Sequence, residues 1–235
     1  MLKFLTENFN FITYGFEILA ASIAIILYNK YKNTSTKYFI FFLLYIVFVE
    51  LVGASFLYFS SSTGIIFLRS FGIRSTNWYN VFWMFGSVMF VICYYHSILK
   101  LRLNVYIIRV IAFLFTTIFI GHIIFNFEVF LKSHPPIYML LGAFTTLICV
   151  ALYFIEFLKG EAIVNAFKTF SFYASASLFI WWLIITPLIF FDIYNTVNDW
   201  DFVNLKRRIF LFTNMFMYSC FAIGLIVSVP EKSVT

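Results

Sequence analysis

Seven apolar stretches, each about 20 residues long, limit what this chain can fold into more than any other feature. They lie at Asn8–Tyr28, Tyr38–Phe59, Asn77–Leu99, Val105–Phe125, Pro136–Leu158, Thr169–Phe191 and Ile209–Val229. An apolar helix of about this length crosses the hydrocarbon core of a bilayer. Within lipid, only helices and closed barrels satisfy their backbone hydrogen bonds. The sequence therefore predicts an all-α polytopic membrane protein, a bundle of seven transmembrane helices.

Composition supports lipid as the solvent. Of the 235 residues, 63% are hydrophobic and 11% are charged, whereas a soluble domain is about half apolar and about one quarter charged. The two longest connections, Ser60–Thr76 and Asp192–Arg208, are shorter than the roughly 50 residues of a small independent domain. We therefore expect residues 1–235 to form a single transmembrane domain surrounded by membrane lipids.

The first stretch has a second interpretation, a cleaved signal peptide. Lys3 and the small residues from Ala20 to Ala24 favour it. Glu7 and Glu17 count against it, because a signal peptide has an uninterrupted apolar segment. We therefore interpret this stretch as the first transmembrane helix.

The distribution of lysine and arginine predicts the orientation. One side collects Lys30, Lys32, Lys37, Lys100, Arg102, Arg109, Lys159, Lys168 and Lys232. The other collects Lys3, Arg69, Arg74, Lys132, Lys206, Arg207 and Arg208, and shares its loops with acidic residues. Because cytoplasmic loops carry the positive excess, we expect the first set in the cytoplasm of a bacterial inner membrane. The N-terminus is then outside and the C-terminus, at Thr235, inside, although the cluster at 206–208 argues against this orientation.

Several partners and chemistries are not expected. The net charge of +6 comes from residues that flank the apolar stretches, and no basic run with interleaved aromatic residues indicates a nucleic-acid partner. His96 is predicted near the inner face, whereas His122 and His134 are predicted near the outer face, so the histidines do not converge on a metal. We expect no metal, no cofactor, no catalytic residue and no enzymatic activity.

Two glutamates inside the apolar stretches are the most informative residues, because ionisable groups in a membrane are costly. Glu17 and Glu50 each lie about nine residues from the outer end of their stretch, about 14 Å deep at ~1.5 Å per residue. The first two helices form an antiparallel hairpin, so these carboxylates can be neighbours. Two close carboxylates in a low dielectric share a proton or hold a cation. The alternative is that they only join helices.

Other polar residues reach the same depth on further helices. Ser87 does so on the third helix, with Asn80 on the same stripe seven residues away. Trp182 and Tyr218 do so on the sixth and seventh helices, with Asn214 one turn above Tyr218. We therefore predict a ligand or proton site formed by Glu17, Glu50, Ser87, Asn80, Trp182, Asn214 and Tyr218. Taken singly, the hydroxyl groups are typical of helix-to-helix hydrogen bonds.

A second polar cluster is predicted near the cytoplasmic face, where His96, Arg109 and Glu156 come from three consecutive helices. Arg109 and Glu156 are expected to form an ion pair. The alternative is a packing contact in which the arginine extends its charged group to the membrane surface.

Seven-helix receptors invite comparison, but their signature residues are missing. The last stretch has no lysine for retinal, and the Asn214-Met-Phe-Met-Tyr218 segment lacks the proline of the G-protein-coupled receptor motif. The whole chain, rich in Phe and Ile, instead resembles the small seven-helix integral membrane proteins of bacteria with AT-rich genomes. This resemblance implies the fold and the membrane, and no activity.

Two functions fit a polar site in mid-membrane. The first is a ligand- or partner-sensing membrane module that acts through a separate cytoplasmic signalling protein, favoured by the odd number of helices and the lack of a visible internal repeat. The alternative is a small-solute or proton-coupled cation transporter that uses Glu17 and Glu50. The sequence predicts neither the ligand nor the oligomeric state.

Overall fold

The computed structural model describes residues 2–194 and 200–230, and within these ranges it contains helices and no strand. Seven helices have the length and apolar composition of membrane spans, which confirms the predicted number. In chain order they are α1 (Phe9–Ile26), α2 (Thr36–Tyr58), α3 (Ser75–Ile98), α4 (Arg102–Phe125), α5 (Pro136–Lys159), α6 (Phe170–Tyr194) and α7 (Trp200–Val227).

Shorter helices lie between them. These are Leu2–Glu7, Tyr28–Tyr31, Thr63–Ser70, Phe127–Lys132 and the 3-10 helix Glu161–Lys168. The last long helix begins at Trp200, well before the predicted Ile209. The charged residues from Asp201 to Arg208 interrupt the apolar pattern there without interrupting the helix. An apolar stretch therefore marks the depth of lipid that a helix crosses, and not where the helix begins.

Six of the seven helices form a ring. Contacts join α1 to α2, α2 to α3, α3 to α5, α5 to α6, α6 to α7, and α7 back to α1. Helix α4 lies outside this ring and packs against α3 and α5. Only 17% of the most apolar part of α4 is buried, against 28–50% in the other six helices. The interior of the molecule is therefore enclosed by six helices, with α4 as a peripheral member.

The two ends of the ring differ, and each is named here for its contents. The packed end contains the end of α1 and the beginnings of α2 and α6. At its centre Phe39 contacts the buried rings of Tyr94, Phe170 and Phe221, and these four side chains are called the aromatic plug. The ring centroids of Phe39 lie 5.1 Å from Tyr94, 5.0 Å from Phe170 and 4.8 Å from Phe221. Each of the four side chains is at most 2% exposed.

Hydrogen bonds between helices reinforce the packed end. Tyr94 and Tyr95 of α3 donate to Ser171 and Ser175 of α6 at 3.0 Å and 2.8 Å. Tyr31, which follows α1, donates to two backbone carbonyl oxygens at the end of α7, those of Leu225 at 2.8 Å and Ser228 at 2.9 Å. Small residues also bring backbones together, because a Cβ atom at Gly224 would lie 2.7 Å from the Cβ of Tyr173. The last turn of α7 is therefore fixed to its neighbours.

The opposite end, called the cavity end, contains the beginning of α1, the end of α2 and the beginning of α3. Here α3 departs from regular α-helix, since residues Tyr79–Gly86 form a π-helix. The wider turn leaves carbonyl groups without the usual partner, and the hydroxyl of Tyr45 on α2 donates to the Phe82 carbonyl at 2.6 Å. π-helical turns occur frequently at functional sites.

Candidate functional site

A cavity of about 270 Å³ lies inside the ring and is lined by all six ring helices. One lining residue from each is Glu17 (α1), Glu50 (α2), Trp83 (α3), Thr146 (α5), Trp182 (α6) and Tyr218 (α7). Among the described residues, α4 contributes none. The volume is just below the ~300–1,000 Å³ typical of small-molecule sites.

The cavity begins at the cavity end and stops at the aromatic plug. Its lining includes Phe9, the first residue of α1, and Leu57, close to the end of α2. Its deepest lining residues include Phe42 of α2 and Val91 of α3. Phe39 and Tyr94 lie three residues beyond Phe42 and Val91, so the plug occupies the next helical turn. The cavity is therefore a blind pocket that approaches one end of the bundle only.

Glu50 is held by aromatic residues of α3. The Tyr79 hydroxyl donates to Oε2 of Glu50 at 2.9 Å, and the side chain of Trp83 is a second hydrogen-bonding neighbour. Tyr79 also hydrogen-bonds with Tyr14 of α1. Gly53, one turn from Glu50, makes this arrangement possible, because a Cβ atom there would overlap the Tyr79 hydroxyl. One carboxylate is therefore oriented by a defined set of donors.

Glu17 is held less completely. Its side chain is only 4% exposed, and Tyr218 of α7 is its hydrogen-bonding neighbour. Its Oε2 atom is buried and has no hydrogen-bond partner. Oγ1 of Thr13, one turn earlier on α1, is also buried and without a partner. Glu17 and Glu50 are close enough to repel each other when both are ionised. The wall formed by α1 thus presents two polar atoms whose hydrogen-bonding capacity is unused within the protein.

The remaining predicted residues divide into two groups. Ser87, Trp182 and Asn214 line the cavity together with Glu17, Glu50 and Tyr218. The Ser87 hydroxyl bonds the Trp83 carbonyl of its own helix, and Oδ1 of Asn214 accepts from the indole N–H of Trp181 at 2.6 Å.

Asn80 lies elsewhere, because the π-helix changes the register of α3. Its buried side chain faces the segment before α5, where Nδ2 donates to the carbonyls of Phe130 at 3.0 Å and Ser133 at 2.8 Å. Its Oδ1 lies 2.8 Å from Nδ1 of His134. Much of His134 is accessible, but partial burial of its ring lowers the pKa of its imidazole below the ordinary value of 6.5. Asn80 therefore anchors a connecting segment and does not line the cavity.

The cluster predicted from His96, Arg109 and Glu156 separates into two contacts. Nε of Arg109 donates to Nε2 of His96 at 3.2 Å. Glu156 does not pair with Arg109. Its carboxylate instead accepts from the backbone N–H of Lys100 at 2.6 Å and from Nδ2 of Asn104 at 3.0 Å. Glu156 therefore caps the beginning of α4, where backbone N–H groups lack helical partners.

Sequence reasoning missed four aromatic residues of the site, namely Tyr14, Tyr79, Trp83 and Trp181. Tyr79 and Trp83 precede Ser87 by eight and four residues on the same helix, which was the available signal. Because aromatic residues are frequent throughout this chain, this spacing does not stand out in the sequence. Within residues 2–194 and 200–230, no three His, Cys, Asp or Glu side chains converge as metal ligands.

Comparison with protein-family models, with curated proteins and with solved structures found no match. The class is therefore defined by the fold alone. Seven long apolar helices indicate a multi-pass helical membrane protein.

Proposed function

We propose that this protein is a ligand-sensing module of the bacterial inner membrane. A small molecule enters the blind cavity from outside and binds at Glu17 and Glu50. Binding changes the surface of the packed end, which a separate cytoplasmic signalling protein contacts. The observation that carries the proposal is that Glu17, a buried residue that lines the interior cavity, has an Oε2 atom without a partner in the protein. A buried polar atom without a partner costs about 1–3 kcal/mol, and a ligand that supplies the partner recovers that cost.

A route for the signal runs along the contact between α1 and α7. At the cavity, Glu17 of α1 meets Tyr218 of α7. At the packed end, Lys30 and Tyr31 bond carbonyl groups near the end of α7, including that of Leu225. A ligand that replaces Tyr218 as the neighbour of Glu17 shifts α1 against α7, and the shift reaches the last turn of α7. The plug remains closed throughout.

The orientation belongs to this proposal. Lys100, Arg102 and Lys159 lie at the packed end, which favours a cytoplasmic packed end. Lys232 and the C-terminus at Thr235 lie outside the described residues, as do Asp199 and the side chains of Lys3 and Asp192.

Transport is the second candidate, and the paired carboxylates favour it because proton-coupled carriers use intramembrane acids. The two functions differ at the plug. A transporter must open the packed end to complete its cycle, whereas a sensor keeps it closed.

Cysteine accessibility tests the proposal. In a variant whose native cysteines are replaced by alanine, Asn10→Cys places a thiol at the cavity mouth and Ala24→Cys places one in the packed end of the same helix. We expect a membrane-impermeant maleimide, added to intact cells, to label Asn10→Cys and to leave Ala24→Cys unlabelled. If Asn10→Cys is labelled only in inverted vesicles, the orientation is opposite to the one proposed, and the cavity is still accessible. An unreactive Asn10→Cys on both sides contradicts an accessible cavity, and a reactive Ala24→Cys favours transport over sensing.

A further inference from the structure

We infer that the ligand of this cavity is a small organic cation, an ammonium group attached to an apolar or aromatic body. This inference rests on the proposed function, since it names the class of molecule that the cavity binds. It depends on three features of the lining: its charge, the unused acceptors on α1 and the aromatic walls.

The charge of the lining excludes anions and favours cations. Two carboxyl groups face the cavity, and among residues 2–194 and 200–230 no Lys, Arg or His lines it. The described lysines and arginines lie near helix ends or in the connecting segments instead. A buried charge requires a partner of opposite sign with matched hydrogen bonds. The only charge that this lining can neutralise is positive.

The unused atoms match an ammonium group in number and kind. A primary ammonium carries three donors and no acceptor. Oε2 of Glu17 and Oγ1 of Thr13 lie one turn apart on α1, both can accept, and neither has a partner in the protein. Glu50 supplies the second carboxylate, already oriented by Tyr79. A ligand hydroxyl would also fit Thr13, but it could not neutralise a carboxylate of Glu17 or Glu50.

The walls select an organic cation over a metal ion. Mg²⁺ and Ca²⁺ require about six to eight oxygen ligands, whereas this lining is mainly aromatic and aliphatic. Trp83, Trp181 and Trp182 all face the cavity, with Trp181 and Trp182 perpendicular at 89° and 4.7 Å between centroids. Tryptophan faces attract organic ammonium groups more strongly than the rings of tyrosine or phenylalanine do. Leu178 and Met217 add apolar surface for the body of the ligand.

Three probes of similar size and different charge test the inference. These are 2-phenylethylammonium chloride, neutral 2-phenylethanol and sodium phenylacetate, each titrated into the full chain in lipid nanodiscs at pH 7 and constant ionic strength. Quenching of indole fluorescence reports binding, because three tryptophans line the cavity. We expect the ammonium to bind at least tenfold more tightly than the alcohol, and the carboxylate most weakly.

Single substitutions identify which residues give the cavity its preference for the ammonium probe. Glu17→Gln should remove most of the tenfold advantage of the ammonium over the alcohol, because glutamine keeps the size of the side chain without its charge. Thr13→Val should weaken ammonium binding by several-fold, because the ammonium loses one of its acceptors. Glu128→Gln is the matched control, since that glutamate is exposed and paired with Lys132 away from the cavity.

The ranking of the three probes on the unmodified chain does not depend on any variant folding correctly. Equal affinity for the ammonium and the alcohol, with no change in Glu17→Gln, would overturn the organic-cation inference and leave the cavity as a binding site. Failure of all three probes at millimolar concentration would also overturn it. The proposed function is tested separately, and it fails if the thiol of Asn10→Cys is unreactive or if the thiol of Ala24→Cys reacts.

Discussion

The two ends of one six-helix ring differ in the polar groups that they bury. At the packed end, the hydroxyls of Tyr94, Tyr95 and Tyr31 each bond an acceptor on another helix. At the cavity end, Thr13 and Glu17 keep buried oxygen atoms without partners. Both ends are rich in aromatic residues and both are buried. Ser228 at the packed end also keeps a buried hydroxyl without a partner, so an unpartnered atom alone does not mark a site. At the cavity end the unpartnered atoms belong to residues that line a cavity, and one of them is a carboxylate oxygen.

Truncating an aromatic side chain at the boundary between the aromatic plug and the cavity should have the largest effect on stability. Phe39 is the centre of the aromatic plug, while Phe42, one turn away on α2, lines the cavity. We expect Phe39→Ala to cost about 3–5 kcal/mol of unfolding free energy. Phe42→Ala should cost less, because that ring already has open space on one side. Thermal melting in detergent measures both, and equal losses would show that the two ends are packed alike.

Replacing one carboxylate at the packed end and one at the cavity end tests how the two ends differ. Glu156→Ala should lower stability by about 1.5–3 kcal/mol, the range for hydrogen bonds to a charged group, because Lys100 and Asn104 lose their acceptor. Glu17→Gln should cause no loss, since one of its oxygens has no partner to lose. Arg109→Ala is the control and should have little effect. A Glu156→Ala loss that is cancelled in the Glu156→Ala, Arg109→Ala double variant would restore the predicted ion pair.

Removing one interhelical hydroxyl should have a smaller effect. Tyr95→Phe deletes the 2.8 Å bond to Ser175 and keeps the ring. Hydrogen bonds between membrane helices average about 0.6 kcal/mol, with a maximum of about 1.7, so we expect a loss in that range. Tyr106→Phe is the matched control, because Tyr106 is 65% exposed. A Tyr95→Phe protein as stable as the unmodified chain would show that the packed end depends on ring packing alone.

The smallest effect should come from pH at the segment that precedes α5. The pKa of His134 lies below 6.5 in the folded protein, so the folded state binds a proton less readily than the unfolded chain. Its contribution to stability is complete above pH 6.5 and is lost as the pH falls through 6.5 toward the folded pKa. The melting temperature should therefore decrease slightly over that window. His134→Gln should flatten this slope, and an unchanged slope would assign the pH dependence to another group.

Much of the architecture follows from sequence because lipid imposes simple rules. The length of the apolar stretches predicts seven helices. The equal depth of Glu17 and Glu50 on an antiparallel hairpin predicts that they are neighbours, and both line one cavity. Asn80 could not be placed in the same way, because a regular α-helix was assumed where α3 forms a π-helix. Glu156 was paired with Arg109 because opposite charges at one level were expected to meet. Backbone N–H groups at the start of α4 carry no sequence signal, yet they bind this carboxylate.

The aromatic plug has a consequence for the electrical properties of the membrane. Beyond Phe42 and Val91, an ion would meet the buried rings of Phe39, Tyr94, Phe170 and Phe221 and would have to lose its water there. Moving an isolated charge into such a low-dielectric layer costs tens of kcal/mol. In this conformation the aromatic plug therefore blocks ions, and the cavity approaches only one end of the bundle. We therefore expect that copies of the protein in this conformation do not lower the membrane potential.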